Sequence, residues 1–208
     1  MHGPDADHPT LQPDGLLAGY LRGWFPMDDE GARGPVGFYE ADPRAVMPVE
    51  GFRVPRSVAR GLRRAGYAIR VDAAFDEVAA ACAGGREGVW LTPRLVRAYG
   101  RLHRAGHAHS VEAWRDGRLC GGLFGVCLGG MFTSESMFHR EPEAGNAALV
   151  GAADVLLRLG AVLWDIQMAS EHTRRFGARE VSAREYARML ARALDRPPLN
   201  WSAAAAPG

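Results

Sequence analysis

The chain lacks the long apolar run of a membrane-spanning helix, because no stretch approaches the roughly 20 residues needed to cross a bilayer. Its first ten residues, MHGPDADHPT, lack the basic and apolar regions of a secretory leader. Internal repeats are absent as well. The sequence therefore predicts a cytoplasmic protein with no membrane partner, and its 208 residues are enough to bury a substantial core.

Cysteine is scarce. The three cysteines, Cys82, Cys120 and Cys127, are odd in number and show no Cys-x-x-Cys spacing. Neither a disulfide framework nor a structural zinc site is predicted from such a pattern. We expect all three side chains to pack as small buried hydrophobic groups.

Histidine spacing gives little support for a metal site. His103 and His107 stand four residues apart and His109 follows two residues later, but Gly106 interrupts the predicted helix between them. We therefore predict no metal and no cofactor. The three histidines are expected to pack and hydrogen-bond near a domain interface.

Charge of one sign is not in excess. The net charge of +1 does not by itself indicate a nucleic-acid-binding protein. Four arginines are nevertheless spaced to share much of one helical face: Arg56, Arg60, Arg63 and Arg64. A phosphate backbone could lie along this face, and a solvated arginine surface is the alternative.

Strand and helix signals alternate along the second half of the chain. Asp116-Gly117 has the signature of a two-residue hairpin turn between a β-prone run over 111–114 and a glycine-rich strand over 119–126. A helix over 147–159, closed by Gly160, precedes an apolar strand over 161–167. This succession predicts an α+β fold with a mixed sheet.

Capping residues mark several helix boundaries. Gly66 should end a helix that begins at residue 56, and Thr92, followed by proline, should begin another. We expect Asp72 to cap the helix that follows it. Ser182 and Glu185 have the spacing of a capping box at the start of the last helix.

Three polar side chains interrupt otherwise apolar strands: Glu135, Asp165 and Gln167. Asp165 and Gln167 are two residues apart at a strand end, so they share one face and can form a hydrogen-bonded pair. Glu135 lies in an apolar context and needs a partner. From spacing alone, a pair that satisfies backbone groups and a core ion pair are the simplest interpretations.

Motifs spread over most of the chain occur in a recognisable order. They are Tyr20 with Gly23 and Phe25-Pro26; Asp42-Pro43-Arg44-Ala45-Val46; Gly88-Val89-Trp90-Leu91-Thr92; Gly106-His107-Ala108-His109-Ser110-Val111-Glu112 with Trp114; Gly121-Gly122-Leu123-Phe124-Gly125; Glu135-Ser136-Met137-Phe138; and Asp165-Ile166-Gln167 followed by His172. In this combination the sequence resembles the bacterial leucyl/phenylalanyl-tRNA-protein transferases.

The resemblance implies an architecture in two parts. Residues 1–68 would form a small N-terminal α+β domain, and residues 69–201 would form a domain with the acetyltransferase-like (GNAT) fold. The alanine-rich segment 202–208 is predicted to be a disordered tail.

The resemblance also implies an activity: transfer of Leu, Phe or Met from aminoacyl-tRNA to an α-amine, ordinarily the N-terminal Arg or Lys of a protein, which creates a degradation signal. Residues Glu143 to Asn146 depart from the family's Asn-Ala-Ser-Lys run. This departure leaves open a second acceptor class, a small-molecule amine in a biosynthetic pathway. A tRNA-binding protein without catalytic activity is the third reading, which retention of the polar residues disfavours.

The resemblance implies roles for the polar residues. Gln167 would contact the reacting amine, Asp165 would orient or polarise it and is the better candidate to take charge, and Glu135 would hold the donor's α-ammonium. The residues implied at the substrate are Trp90, Tyr99, Leu123, Phe132, Ser136, Met137, Ala152, Leu156, Trp164 and Met27. Trp90 would stack near the terminal adenosine. The arginine face at 56–64 would contact the acceptor stem.

The predicted amino-acid pocket departs from well-known members of the family. Ala152, Leu156 and Trp164 stand where those members carry Phe, Phe and Ile, and Met27 replaces a Trp found in some. Pocket volume is therefore redistributed, and the preferred donor amino acid stays open.

Overall fold

The computed structural model describes residues 8–29, 33–84 and 90–204, and it has an α+β fold, as predicted. The α-helices are α1 (Pro13–Tyr20), α2 (Arg56–Ala65), α3 (Phe75–Ala83), α4 (Pro93–Arg104), α5 (Ala144–Leu159), α6 (Glu171–Arg174) and α7 (Ala183–Leu194). The strands are β1 (Phe25–Met27), β2 (Gly37–Tyr39), β3 (Arg44–Met47), β4 (Ala68–Val71), β5 (Ala108–Arg115), β6 (Arg118–Leu128), β7 (Met131–His139), β8 (Leu163–Gln167) and β9 (Arg179–Val181). Among the described residues, no helix has the length and apolar character needed to cross a membrane.

The main sheet has seven strands in the order β4-β5-β6-β7-β8-β3-β9, and β1 pairs with β2 separately. Strands β7 and β8 run parallel, and every other neighbouring pair is antiparallel, so the sheet is mixed as predicted. Strand β3 lies between β8 and β9. A strand from the predicted N-terminal domain thus belongs to the main sheet, and the boundary at residue 68 stays a prediction.

The parallel strands β7 and β8 separate partway along their length. Pairing covers residues 131–133 of β7 and 163–165 of β8, whereas β7 continues to His139 and β8 to Gln167. The register between β6 and β7 shifts at the same level: Gly125 pairs with Ser134 and Phe124 pairs with Ser136. Glu135 is therefore the extra residue of a β-bulge, a feature that redirects a side chain. We call the opening between the two strands the wedge.

Alternate residues of the central strands face opposite layers of helices. Met47, Phe132 and Trp164 pack with α5 and with Val58 of α2. Their chain neighbours Val46, Met131 and Leu163 pack with α7. Helices α2 and α7 therefore lie on opposite faces of the sheet, as period-two alternation requires.

Most local signals gave the correct element. Helix α2 ends at Gly66, which has φ of 65°, and Thr92 accepts a hydrogen bond from the Leu95 amide at the start of α4. The hairpin turn places Asp116 and Gly117 at φ of 51° and 73°, as in a type I′ turn. All three cysteines are buried free thiols.

The prediction that Asp72 caps α3 was wrong. Asp72 turns back to β5, where it accepts from the Ser110 amide at 2.8 Å, and Glu112 takes the Ala74 amide at the start of α3 at 2.9 Å. Asp72 has φ of 54°, which directs its side chain away from α3.

Other predicted element boundaries differ from those in the structure. Helix α5 begins at Ala144, three residues before the predicted start. Ser182 accepts from the Glu185 amide, but the Glu185 carboxylate pairs with Arg179, so only half of the predicted capping box forms. In the predicted disordered tail, Ser202 and Ala203 belong to a 3₁₀ turn, and residues 205–208 lie outside the described part of the chain.

Candidate active site

Glu135 and Gln167 face each other across the wedge. The β7 bulge supplies Glu135, and the last residue of β8 supplies Gln167, which has φ of 54°. Their side chains meet where Gln167 Nε2 lies 3.4 Å from Glu135 Oε1. The two side chains predicted from motifs 32 residues apart therefore form one site.

Asp165 lies beneath this pair and is fully engaged. Its side chain is 1% exposed, and its carboxylate forms a two-pronged ion pair with Arg44, whose Nε donates at 2.9 Å. Asp165 Oδ2 also accepts from the Tyr186 hydroxyl at 2.9 Å and from the Thr133 hydroxyl at 3.1 Å. Asp165 Oδ1 accepts from the backbone N–H of Gln167 at 2.9 Å. These donors engage both oxygens of the carboxylate. Asp165 is therefore buried among hydrogen-bond donors next to the wedge.

Thr133 fixes the orientation of the Gln167 amide. The Thr133 hydroxyl donates its single proton to Asp165, so it can only accept from Gln167 Nε2, at 2.9 Å. Both contacts that the Gln167 side chain makes use Nε2. The carbonyl oxygen is therefore the end of this amide that can accept a hydrogen bond.

Glu135 has a shifted protonation equilibrium. Burial raises the pKa of its carboxyl to about 7, and nearby Asp165 raises this pKa further, while hydrogen bonds from Tyr99 and Tyr20 oppose the rise. Tyr99 donates to Oε2 at 2.8 Å, and the Tyr20 and Tyr99 hydroxyls lie 2.8 Å apart. Part of the Glu135 side chain remains exposed in the wedge. Glu135 can therefore change charge near neutral pH in contact with a ligand.

Arg44 is the main functional residue that sequence reasoning missed. It is 1% exposed, and its guanidinium carbon lies 5.0 Å from the Phe25 ring and 4.6 Å from the Tyr186 ring. Arg44 occurs in the Asp42-Pro43-Arg44 motif, but nothing local distinguishes a buried arginine from a solvated one. Sequence reasoning also missed Thr133, Tyr20 and Tyr186, because nothing local shows which polar side chains are buried at the site.

Most of the predicted amino-acid pocket is core. Besides Tyr99, which is 0% exposed, the predicted substrate residues that are no more than 1% exposed are Leu123, Phe132, Ala152, Leu156 and Trp164. Trp164 donates to the Ser134 hydroxyl at 2.8 Å and stacks on Phe52. By contrast, Ser136 is partly exposed and Met137 is 37% exposed beside the wedge. Direct contact of the five buried side chains with a donor amino acid stays a prediction.

Trp90 and Met27 are held on the α4 side of the sheet. The Asp28 amide donates to the Trp90 carbonyl at 3.0 Å, and the Asp28 carboxylate forms a buried ion pair with Arg94 and accepts from Thr92. Both Trp90 and Met27 are partly exposed and pack against the cluster that contains Tyr20 and Tyr99. Gly88 and Val89 of the Trp90 motif lie outside the described residues.

The four arginines of α2 are all exposed. Within the described ranges 8–29, 33–84 and 90–204, none of them forms an ion pair. Helix α2 packs against α5 through Val58 and Leu62, which leaves the arginine face to solvent.

Two of the histidines pack as predicted. His103 stacks on Phe75 with ring centroids 4.2 Å apart, and His109 stacks on Trp201 at 4.3 Å. Asp72, His103 and His109 bring their potential ligand atoms within 4.8 Å of one another, so they are the described residues best placed to hold a metal ion. Their nitrogens are already in hydrogen bonds: His109 Nδ1 with Asp72 at 2.7 Å, and His103 Nδ1 with the Ala108 carbonyl at 2.8 Å.

One family model and three known proteins that resemble this chain carry the same description. The family model described as leucyl/phenylalanyl-tRNA protein transferase matches residues 46–191. A leucyl/phenylalanyl-tRNA-protein transferase from Thiobacillus denitrificans is 46% identical over 192 residues, covering 91% of this chain and 83% of that protein. Proteins of the same name from Anaeromyxobacter sp. strain Fw109-5 and Rubrobacter xylanophilus are 45% and 46% identical, covering 91% and 88% of this chain and 81% and 95% of theirs.

Proposed function

This chain belongs to the leucyl/phenylalanyl-tRNA protein transferase family, and we therefore propose that it transfers leucine or phenylalanine from charged tRNA to the N-terminal α-amine of a protein. The observation that carries the proposal is the meeting of Glu135 and Gln167 in the wedge. Methionine as a third donor and Arg or Lys as the acceptor residue are part of the proposal. So is a cytoplasmic location, where charged tRNA is found.

The proposed reaction is aminolysis of an ester. The neutral amine attacks the ester carbonyl, a C–N bond forms, the C–O bond to the ribose breaks, and one proton passes from the amine to the ribose oxygen. An α-amine has a pKa of about 7.7–8.0, so a useful fraction is neutral at physiological pH. Because the ester is already reactive, positioning alone can supply effective molarities on the order of 10⁵–10⁸ M.

In this mechanism the residues have separate roles. The Glu135 carboxylate holds the α-ammonium of the donor aminoacyl group. The Gln167 carbonyl oxygen accepts one N–H of the attacking amine and aims the nitrogen lone pair at the ester. Asp165 is a positioning residue, because its carboxylate is occupied by Arg44 and the other donors. The sequence-based hypothesis that Asp165 takes charge stays a prediction beside this one.

We propose that the tRNA lies across the α2 side of the molecule. The unpaired, exposed arginines of α2 support a phosphate contact there. Trp90 and Met27 are partly exposed on the α4 side of the wedge, which suits stacking of the terminal adenosine. The finer architecture is also proposed: a small domain over 1–68 and an acetyltransferase-like domain over 69–201, supported by a mixed sheet whose parallel pair diverges at the site.

A small-molecule amine is the second candidate acceptor. The specific observation in its favour is the start of α5, where Glu143 to Asn146 stand in place of the family's Asn-Ala-Ser-Lys run beside the wedge. A changed acceptor surface with an unchanged reaction centre would alter the acceptor and leave the chemistry in place.

The test follows labelled leucine, phenylalanine or methionine from charged tRNA to a peptide that begins with Arg. We expect the wild-type protein to label the peptide and Gln167→Met to lower kcat by about 100-fold with unchanged tRNA affinity, because the amide no longer orients the amine. Met168→Leu, at the next position and 67% exposed, serves as the control. Full activity of Gln167→Met would contradict the assigned role, and discharge onto a small amine without peptide labelling would favour the second candidate.

A further inference from the structure

A pocket with several polar side chains in its lining opens beside the reaction centre, where β7 ends and α5 begins. Its volume is about 230 Å³. It is lined by Met137, His139, Glu143, Gly145, Asn146 and His172. These residues come from both sides of the wedge, because Met137 belongs to β7 and His172 follows β8 in α6.

The pocket lies within reach of a group bound at Glu135. Met137 follows Glu135 by two residues, a rise of roughly 6–7 Å along a strand. An amine that reacts between Glu135 and Gln167 can therefore extend a long side chain over Met137 into the pocket. Gly145 adds no side chain to the opposite wall, which keeps this path open.

Glu143 gives the pocket its negative charge. Its carboxylate is fixed by Asn146 Nδ2, which donates to Oε2 at 2.8 Å, and its backbone holds a φ of 65°. A non-glycine residue in the left-handed region has a conformational cost, and residues with such a backbone are more common at binding sites than elsewhere. The side chain lies against α2 at Gly61, where an added methyl group would come within 2.9 Å of Glu143 Cδ.

Two further polar atoms at this pocket have no partner among the described residues. They are Asn146 Oδ1 and His172 Nε2, and both are buried. Because Asn146 donates its amide to Glu143, its carbonyl oxygen is left as an acceptor. Buried polar atoms without partners are unusual, since each costs about 1–3 kcal/mol until it is hydrogen-bonded.

His172 adds a third acceptor. Burial lowers the pKa of its imidazole, and the nearby charge of Arg175 lowers this pKa further, so the ring is neutral at pH 7. A neutral ring can accept a hydrogen bond at Nε2. The pocket therefore combines one carboxylate, one carbonyl oxygen and one imidazole nitrogen, a set that matches a cationic donor such as a guanidinium or ammonium group.

We infer that the Glu143, Asn146 and His172 pocket binds the cationic side chain of the acceptor's N-terminal residue. This inference rests on the proposed function, since it assigns an acceptor subsite to the same reaction centre. It also explains how residues that depart from the family's usual run can still select a basic acceptor. Glu143 supplies the charge, and Asn146 and His172 supply uncharged hydrogen-bond acceptors.

The test compares two peptides that are identical except for the first residue, which is arginine in one and its uncharged analogue citrulline in the other. At saturating charged tRNA we expect wild-type protein to favour the arginine peptide by about tenfold or more in kcat/KM. Glu143→Gln should raise KM for the arginine peptide until the ratio is within about threefold, with kcat unchanged. Asn146→Ala should also raise KM for the arginine peptide, but by a smaller factor.

Glu171→Gln is the matched control, because it removes the same charge beside His172 from an exposed position that does not line the pocket. It should keep the wild-type ratio. The peptide ratios are compared only among variants whose melting temperature equals that of the wild-type protein. An unchanged ratio in a well-folded Glu143→Gln protein would overturn the inference.

A binding measurement separates this inference from the proposed function. Arginine amide is added to wild-type protein labelled with ¹⁵N at histidine, and the His172 signals are followed. We expect a saturable shift that citrulline amide and the Glu143→Gln variant do not give. Absence of the shift overturns the pocket even if peptide transfer occurs, whereas a shift without any transfer overturns only the proposed function.

Discussion

Glu135 and Asp165 show how two neighbouring carboxylates acquire different properties. Asp165 is 1% exposed and surrounded by donors, of which Arg44 forms a buried ion pair with it. Glu135 accepts a hydrogen bond from Tyr99, lies near the Tyr20 hydroxyl and has a long contact to Gln167, and burial raises the pKa of its carboxyl to about 7. The two carboxylates therefore differ because their environments differ.

The raised pKa of Glu135 predicts a stability cost. Between the ordinary carboxyl pKa of 4.5 and the folded value of about 7, the folded state keeps a proton that the unfolded chain has lost, so stability falls as pH rises through this window. We therefore expect Glu135→Gln to be more stable than wild type by about 1–3 kcal/mol at pH 8 and nearly equal at pH 4.5. Denaturant unfolding at both pH values measures this difference.

The same variant should lose most aminoacyl transfer, because a neutral amide no longer holds the donor α-ammonium. Glu171→Gln, an exposed glutamate, is the control and should show the same stability difference from wild type at both pH values. If Glu135→Gln were equally stabilised at pH 4.5 and pH 8, the pKa of Glu135 would not be raised.

At the scale of elements, one ion pair joins three separate segments. Arg44 comes from β3 and Asp165 from β8, and Tyr186 of α7 donates to the same carboxylate. Strand β3 pairs with β8 in the register that places Ala45 opposite Gln167 and Val46 opposite Asp165. A shifted register would separate the two buried charges and leave each without its main partner.

Breaking this ion pair should be costly. Arg44→Met leaves the 1% exposed Asp165 without its main partner, and we expect the unfolding free energy to fall by about 3–5 kcal/mol. The matched control is Arg174→Met, which removes an ion pair with Glu180 that is about half exposed and should cost about 0–1 kcal/mol. Urea denaturation gives both values.

Adding Asp165→Asn to Arg44→Met should recover part of the lost stability, because the buried charge is then removed. A cost in Arg44→Met as small as that of Arg174→Met would show that Arg44 does not organise the site.

At the scale of the whole molecule, charge is distributed unevenly although the net charge is only +1. The chain contains no lysine, so every basic side chain outside histidine is an arginine, whose planar guanidinium suits phosphate. Two exposed arginine surfaces lie on opposite faces of the sheet, one on α2 and one on α7. Only the α2 surface adjoins α5, whose first turn borders the wedge.

Charge reversal on each arginine surface tests which of the two binds tRNA. We expect the double variant Arg60→Glu, Arg63→Glu to weaken tRNA binding and to reduce the slope of log affinity against log salt by about one to two, since each lost phosphate contact contributes roughly 0.7–0.9. The matched variant Arg188→Glu, Arg192→Glu, on α7, should bind with a nearly unchanged slope. Filter binding across a salt series measures both, and equal slopes for the two variants would remove α2 from the tRNA interface.

Local backbone chemistry was readable from the sequence. The Asp116-Gly117 turn, the Thr92 cap and the Gly66 helix end depend on residues within a few positions of each other, so short patterns predicted them. Asp72 shows the limit of such patterns, because a tertiary contact to Ser110 overrode its capping tendency. Motif order likewise identified Glu135, Asp165 and Gln167 as the candidate site.

Only the tertiary structure decided how those three residues are surrounded. Arg44 reaches Asp165 across 121 positions, and Tyr20 reaches Tyr99 across 79, so no local pattern could reveal either contact. The bulge at Glu135 depends on the register between β6 and β7. The sequence determined which chemical groups are present and which backbone turns they favour, whereas burial and long-range pairing determined their charge and direction, because both depend on neighbours that folding alone brings together.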